Sequence, residues 1–211
     1  MKYIIMCGGV YTNWETPRQL LRIKDETIVE RTIRLLRETG IEDIAISSND
    51  ERFAGFGVPM LKHKNEYVSA GYNNSSGTWC NAFYLTEEPA CYLFGDVIFS
   101  PEAVKIIAEY KTDDIMLFGS AHPLADEYPK TYIEPFAFKV QDTEHLKQAI
   151  KRVKELEAAG RFKREPIAWE LWSVIRGTKI NKINRNYIAI NDYTCDIDEP
   201  GEIEKVMRFL E

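Results

Sequence analysis

Acidic residues follow predicted strands at two distant points of the chain. Asp96 comes directly after the apolar run 92–94 and Gly95, and Asp196 and Asp198 lie in a late Asp-Ile-Asp-Glu-Pro segment. Residues i and i+2 of an extended chain share a face, so Asp196 and Asp198 present two carboxylates to one side. Carboxylates, water and substrate phosphates are the oxygen ligands that Mg²⁺ prefers. These residues predict a magnesium site, with a turn aspartate and a helix N-cap as the structural alternatives.

A glycine pair follows the first predicted strand. The apolar run 2–7 stops at Gly8 and Gly9, and Pro17-Arg18 comes before the next structured segment. A strand that ends in two glycines exposes backbone N–H groups without side chains in the way, which suits a phosphate-bearing ligand. Arg18 adds a side chain that can bind phosphate with two hydrogen bonds. A simple turn is the alternative for the glycine pair.

The chain alternates strand and helix patterns, and these elements must position the acidic residues, the glycine pair and Arg18. Thr27 to Thr39 has apolar residues at helical spacing and ends at Gly40, which predicts an amphipathic helix. Pro135 lies inside the long strand pattern 131–140 and indicates an edge position or a bend. Further strands are predicted at 2–7, 43–48, 57–62, 91–94, 115–119 and 187–190, and further helices at 77–86, after Ser100-Pro101, at 143–160, at 167–176 and from Pro200 to near Glu211.

This order of elements predicts a three-layer α/β/α domain with a mostly parallel sheet. In such sheets ligands bind beyond the carboxyl ends of the strands. The chain has 211 residues, is 45% hydrophobic, and contains no linker-like stretch, so we expect residues 1–211 to form a single domain. Its net charge of −6 argues against a nucleic-acid partner, because no basic stripe is available to neutralise phosphates.

The apolar runs of the sequence match neither a membrane-spanning helix nor a secretory signal peptide. No run of 18 apolar residues occurs, and Gly8-Gly9 interrupts the first apolar run before a signal-peptide core is complete. The cysteines are widely spaced and form no CxxC pair, so we expect buried thiols in a reducing compartment, the cytoplasm; they are Cys7, Cys80, Cys91 and Cys195.

Taken together, the motifs resemble those of GT-A-type nucleotidyltransferases. This broad family includes sugar-phosphate and phosphocholine nucleotidyltransferases and molybdenum cofactor guanylyltransferases. Its glycine-rich loop and the following Pro-Lys pair match 7–13 and Pro17-Arg18, and its L-x-G-D strand end matches 93–96. Its late D-I-D-x-P segment matches 196–203, and Gly77-Thr78 resembles the small-residue segment that contacts the nucleotide base.

The resemblance implies a Rossmann-like GT-A fold and a Mg²⁺-dependent reaction. NMP would pass from an NTP, with CTP or UTP favoured, to a sugar-1-phosphate or phosphocholine-type acceptor, releasing pyrophosphate. The implied catalytic residues are Arg18, Asp96 and Asp198, and the implied metal ligands are Asp96, Asp196 and Asp198. The implied nucleotide-binding residues are Cys7, Gly8, Gly9, Val10, Arg18, Gly77 and Thr78. A homodimer is a further expectation.

The glycine loop departs from the family pattern, and two alternatives to the transferase stay open. Tyr11 stands at the second loop glycine, Asn13 at the loop arginine, and Arg18 at the lysine, with Arg18 and Arg22 as possible replacements for the lost charge. The first alternative is a GT-A glycosyltransferase, which would share the nucleotide and metal site, with Asp96 in its metal motif, but would use an NDP-sugar. The second, which the missing loop glycine and arginine motivate, is a catalytically silent nucleotide-binding or assembly domain.

The remaining aromatic and imidazole residues have mainly structural interpretations. Trp169 and Trp172 lie three residues apart on one helical face, which predicts core packing first and an aromatic wall for a choline-like cation second. The histidines have no ligand spacing and are interpreted as surface or packing residues; they are His63, His122 and His145.

Overall fold

The computed structural model describes residues 1–8, 15–63, 78–120, 133–183, 186–199 and 201–210. The strands are β1 Lys2–Met6, β2 Arg22–Ile23, β3 Glu26–Thr27, β4 Ile44–Ser47, β5 Met60–Leu61, β6 Ala90–Phe94, β7 Val97–Ile98, β8 Ile115–Ser120, β9 Pro135–Val140, β10 Ile188–Ile190 and β11 Cys195–Asp196. The α-helices are α1 Ile28–Glu38, α2 Thr78–Asn81, α3 Pro101–Glu109, α4 Thr143–Ala158, α5 Ala168–Ile175 and α6 Glu202–Met207, with 3₁₀ turns at Arg18–Leu20 and Glu51–Phe53.

The main sheet has seven strands in the order β10-β8-β9-β6-β1-β4-β5. All of its pairings are parallel except those of β9, which runs antiparallel between β6 and β8. The prediction of a mostly parallel sheet is therefore confirmed, but the edge position inferred from Pro135 is wrong. Pro135 is the first residue of an interior strand, opposite Gly119 where the register shifts, a place where a strand tolerates the missing N–H.

Helices cover both faces of this sheet and make three layers, as predicted. In β1, Tyr3 and Ile5 pack with α1 and α3, whereas Ile4 and Met6 point to the other face and pack with α2, α4 and α5. Each of these four side chains is at most 8% exposed. Strands buried on both faces are why β1 and β6 appear in the sequence as continuous apolar runs.

The helix predictions hold best where capping signals are local. Helix α1 begins after Thr27, whose side chain and that of Glu30 form a capping box, and Gly40 follows its end with φ +83°. The helix predicted over 77–86 is wrong beyond Asn81, because Ala82 and Phe83 leave the helix to fill the core. The last helix is also shorter than predicted, ending at Met207.

A two-stranded antiparallel ribbon of β7 and β11 lies beside the main sheet. A small apolar cluster holds it against α6, with Ile98, Cys195, Ile197 and Val206 at most 1% exposed. The ribbon brings Asp96 next to the segment that contains Asp196 and Asp198. All four cysteines are buried thiols, as predicted. Among the described residues, no helix is long and apolar enough to span a lipid bilayer.

Candidate functional site

Asp96 reaches the carboxyl edge of the sheet through a close contact between two central strands. The Gly95 N–H donates to the Met6 carbonyl at 3.0 Å. A Cβ atom on Gly95 would lie 2.5 Å from that carbonyl oxygen and 2.8 Å from Cys7 Sγ. Only glycine fits there, so the chain can leave β6 tightly against β1 and deliver Asp96 beside the end of β1.

The β7–β11 ribbon brings the second acidic segment to the same place. Asp196 pairs with Val97, and the Ile197 N–H donates to the Asp96 carbonyl at 3.1 Å. A cavity of about 690 Å³ opens at this edge of the sheet. Five predicted site residues line it: Gly8, Arg18, Asp96, Asp196 and Asp198. Residues separated by almost the whole chain thus form one site.

Arg18 lies between the two acidic segments. Its Nη2 is 2.8 Å from Asp96 Oδ2, and its Nη1 is 2.6 Å from Asp198 Oδ1 and 2.7 Å from the Ile197 carbonyl oxygen. Burial disfavours the guanidinium charge, but the nearby Asp96 and Asp198 carboxylates outweigh burial and raise the pKa of Arg18. The side chain predicted to bind phosphate therefore rests on the carboxylates predicted to bind metal.

Asp96 and Asp198 fit a divalent cation by chemistry and position. A single guanidinium bridges one oxygen of each, so both carboxylates already face one cationic group. Two carboxylates leave the remaining positions of a Mg²⁺ shell to water and phosphate oxygens. Asp196 lines the same cavity, but within the described ranges no three His, Cys, Asp or Glu side chains are arranged to hold a metal.

Glu134 is a cavity residue to which the sequence assigned no role. It is 2% exposed, and its Oε2 accepts from the Asp196 N–H at 3.2 Å. Its own backbone is held by Ser120, which donates its N–H to the Glu134 carbonyl and accepts the Glu134 N–H on Oγ. Glu134 therefore ties the end of β8 to β11 and adds an acidic side chain to the cavity wall.

The beginning of the glycine loop packs against a histidine. A Cβ on Gly8 would lie 2.5 Å from His63 Nε2, so His63 requires glycine at this position. Asn49 holds His63 by accepting its backbone N–H and by donating to its carbonyl, and the same Asn49 amide lies 3.3 Å from His63 Nδ1. Because that amide nitrogen is a donor, Nδ1 must accept and the neutral ring carries its proton on Nε2.

Other predicted nucleotide-binding residues differ in their placement. Cys7 is buried, does not line the cavity, and donates its backbone N–H to the Ser47 carbonyl at 2.8 Å. Thr78 is the first residue of α2. Gly9, Val10 and Gly77 lie outside the described residues, as do Tyr11, Asn13 and His122. Arg22 is exposed and donates to the Asp25 carbonyl rather than to the site.

Aromatic and aliphatic side chains also line the cavity. Trp79, Phe94 and Trp169 line it, together with Ile133 and Ile167. Trp172 is fully buried and does not line the cavity, so core packing describes Trp172, whereas Trp169 both packs on Tyr187 and borders the cavity. Two further charged residues line the cavity: Glu165, and Arg164, whose Nε donates to Glu170 at 2.9 Å.

Residues 3–163 match the family model of the MobA-like NTP transferase domain. No curated protein matches the chain by sequence. Solved structures share its fold over nearly the whole length. A Bacillus anthracis protein described as a glucose-1-phosphate thymidylyltransferase has 17% identity and a TM-score of 0.60, and the match covers 99% of this chain and 94% of that one.

Two further structures have similar coverage. The CTP:phosphocholine cytidylyltransferase of Streptococcus pneumoniae has 17% identity and a TM-score of 0.56, covering 100% of this chain and 99% of that one. The inositol-1-phosphate CTP transferase of T. maritima has 15% identity and a TM-score of 0.59, covering 100% of this chain and 96% of that one. At these identities the likeness shows the fold.

Proposed function

The chain belongs to the MobA-like NTP transferase domain family, and from this premise we propose that it is a Mg²⁺-dependent nucleotidyltransferase acting on a small phosphorylated acceptor. The reaction would join NMP from an NTP to the acceptor phosphate and release pyrophosphate. The observation that carries the proposal is the convergence of Asp96, Asp198 and Arg18 at one cavity. Opposed carboxylates beside a guanidinium suit a metal–triphosphate substrate.

The residues of the site would act mainly by position and charge. Asp96 and Asp198 would hold Mg²⁺, which when bound neutralises charge on the phosphates. Arg18 would exchange its carboxylate partners for phosphate oxygens and so stabilise charge that develops on the pyrophosphate. An acceptor phosphate oxygen forms a bond to the α-phosphorus while the bond from that phosphorus to the pyrophosphate oxygen breaks.

The aromatic wall of the cavity supports an acceptor with an apolar or cationic head. Trp79, Phe94 and Trp169 line the cavity, and so do the acidic residues Glu134 and Glu165. Aromatic faces and carboxylates attract quaternary ammonium groups. Among the acceptors considered, the phosphocholine type therefore fits this wall better than a sugar-1-phosphate, and CTP is the nucleotide we would test first.

The test is pyrophosphate release with Mg²⁺ from CTP, UTP, GTP and ATP, each with phosphocholine or with pooled sugar-1-phosphates. We expect release from one NTP that requires an acceptor and is at least about 100-fold slower in Asp96→Asn. Asp113→Asn is the matched control, because Asp113 is an exposed aspartate that does not line the cavity.

Two further measurements, with an NDP-sugar as donor and of nucleotide binding, distinguish the alternatives. Release of NDP from an NDP-sugar, without pyrophosphate release from any NTP, would identify a glycosyltransferase. Nucleotide binding without turnover of any acceptor would indicate a silent binding domain. Equal rates in Asp96→Asn and wild type would contradict the assignment of Asp96 to the reaction.

A further inference from the structure

A basic patch lies beside the mouth of the cavity. Residues 161–183 contain six basic and two acidic side chains, although the chain as a whole has a net charge of −6. Of the two acidic residues, Glu170 is buried against Arg164 and Glu165 lines the cavity. The basic patch consists of six exposed residues: Arg161, Lys163, Arg164, Arg176, Lys179 and Lys182.

Hydrogen bonds hold the two loops of the basic patch together. Asn181 accepts the Lys163 N–H on Oδ1 at 2.9 Å and donates from Nδ2 to the Arg161 carbonyl at 3.2 Å. The loop that follows α4 is thus joined to the loop that follows α5. The Lys182 carbonyl accepts from Oγ of Ser173, a fully buried residue of α5, at 3.2 Å. The fold therefore presents these basic side chains on one surface.

Most of the positive charge on this surface is not neutralised within the described part of the chain. Arg164 pairs with Glu170, whereas the other five basic residues form no ion pair with a described residue. The Cζ of Arg176 lies 5.5 Å from the centre of the Trp172 ring, and Arg176 is exposed. Exposed positive charges without intramolecular partners attract an anionic partner.

An exposed isoleucine adjoins the basic patch. Ile183 follows Lys182 directly and is 46% exposed, which makes it the most exposed large apolar side chain among the described residues. A lipid surface with anionic headgroups binds basic residues that flank exposed apolar side chains. Single-stranded nucleic acid binds instead to exposed aromatic rings, and the Trp172 ring in this region is fully buried.

We propose that the basic patch and Ile183 form a docking surface for a membrane that contains anionic lipids. The lysines and arginines would lie against lipid phosphate groups, and Ile183 would enter the boundary of the acyl chains. Such binding requires no membrane-spanning helix. Because Arg164 and Ile183 also line the cavity, the cavity mouth would lie at the level of the lipid headgroups. Vesicle binding needs neither nucleotide nor metal, so its outcome is independent of the proposed function.

Sedimentation with extruded vesicles tests the contribution of charge. In about 0.05 M NaCl we expect binding at least about 100-fold tighter to vesicles of mixed phosphatidylcholine and phosphatidylglycerol than to phosphatidylcholine alone, and loss of this preference in about 0.5 M NaCl. Replacing Lys179 and Lys182 together by glutamine should weaken binding about 25-fold, which is about fivefold for each lysine. The matched control replaces Lys105 and Lys111, two exposed lysines outside the patch and the cavity, and should bind like wild type.

A second pair of variants tests the apolar contact. Ile183→Ser should bind the anionic vesicles about fivefold more weakly at unchanged charge. Leu85→Ser is the matched control, because Leu85 is 40% exposed and lies outside the patch. All of these side chains are exposed, so the melting temperature of each variant should stay at the wild-type value.

Three results would overturn the proposal. The first is equal binding to neutral and anionic vesicles, or binding to neither at low salt. The second is wild-type vesicle binding after replacement of Lys179 and Lys182, or of Arg161 and Lys163 if the first variant does not fold. The third is binding of a single-stranded oligonucleotide that persists in Ile183→Ser while vesicles are not bound, since this would identify a surface for polyanions instead of membranes.

Discussion

At the scale of single residues, Arg18 is central to the site because it contacts both carboxylates that would bind a metal ion. Its guanidinium contacts Asp96 and Asp198 at 2.8 and 2.6 Å, so it occupies the space between the two carboxylates that a divalent cation would need. A cation that enters must compete with this positive charge. Phosphate oxygens offer the guanidinium an alternative partner, so binding of nucleotide should make room for the metal.

We therefore expect Arg18→Gln to bind Mn²⁺ more tightly than wild type in the absence of nucleotide. The variant removes the competing charge and leaves both carboxylates without their ion-pair partner. Mn²⁺ titration followed by electron paramagnetic resonance would measure the change, for which we expect about tenfold or more. Turnover should fall in the same variant, because the phosphates lose a positive partner.

Arg22→Gln is the control for this comparison. Arg22 lies four residues along the chain, is exposed, and contacts the Asp25 carbonyl. Its loss should leave Mn²⁺ affinity at the wild-type value. Equal Mn²⁺ affinity in Arg18→Gln and wild type would show that the guanidinium and the cation do not share a position.

His63 gives the protein a pH-dependent contribution to stability. Burial, aided by Lys62, holds the pKa of His63 below its ordinary value, and the Asn49 amide donor favours the neutral ring. In the unfolded chain His63 takes up a proton as the pH falls through about 6.5. In the folded protein His63 takes up its proton only at a lower pH. The stability that wild-type protein derives from neutral His63 is thus present above that pH and is lost below it.

Unfolding by urea at pH 7.5, 6.5 and 5.5 would measure this effect against His63→Gln. We expect the wild-type free energy of unfolding to fall relative to the variant as the pH decreases, by at most about 1.4 kcal/mol per pH unit. Parallel pH profiles for the two proteins would contradict the assignment to His63.

At the scale of elements, the close approach of β1 and β6 positions the acidic turn. Gly95→Ala would place a methyl group 2.5 Å from the Met6 carbonyl oxygen and 2.8 Å from Cys7 Sγ, inside two central strands that cannot easily separate. We expect a loss of about 1–3 kcal/mol in the free energy of unfolding, measured by urea denaturation. Asp96 should also move, so activity should fall by more than the unfolded fraction explains.

Gly201→Ala is the comparison for this prediction. Apart from its chain neighbours, no described residue has an atom within 4 Å of a Cβ built on Gly201, and the Gly201 φ of −71° is open to any residue. Because Gly201 is the N-cap of α6, alanine there should cost no more than about 1 kcal/mol. If the two variants lost the same stability, close packing at Gly95 would not be the cause.

The sequence predicted those elements whose signals are local. The apolar spacing of α1 and the Gly40 that follows it, the N-cap Ser100 before α3, and the runs that form β1 and β6 depend on neighbouring residues alone. The interior position of β9 depends instead on which strands lie beside it, and a proline at its first residue resembled an edge signal. Ribbon strands β7 and β11 have two residues each, too few for a pattern.

The sequence predicted which carboxylates form the site but not which side chains contact one another there. Asp96, Asp196 and Asp198 follow strands, and that placement brings them to one edge of the sheet. The contact of Arg18 with Asp198 spans 180 residues, and the packing of His63 on Gly8 depends on two separate strands, so no local spacing indicates either one. Glu134 carried no motif, and only its burial at the cavity singles it out.

At the scale of the whole molecule, charge determines how a nucleotide can bind. The chain has a net charge of −6, and the cavity wall includes three aspartates, Glu134 and Glu165 against Arg18 and Arg164, which already pair with carboxylates. An NTP alone brings more negative charge into this environment. A divalent cation that neutralises both the aspartates and the phosphates would remove that repulsion.

We therefore expect nucleotide and Mg²⁺ to stabilise the protein together and hardly at all apart. With both present at a nucleotide concentration 100 times its Kd, the free energy of unfolding should rise by about 2.7 kcal/mol, which is about 5–10 °C in melting temperature for a chain of this size. Differential scanning fluorimetry with nucleotide alone, Mg²⁺ alone, both, and both with EDTA would measure it. An equal shift with nucleotide in EDTA would mean that arginines alone carry the phosphates and that the paired aspartates serve chiefly to hold Arg18 in place.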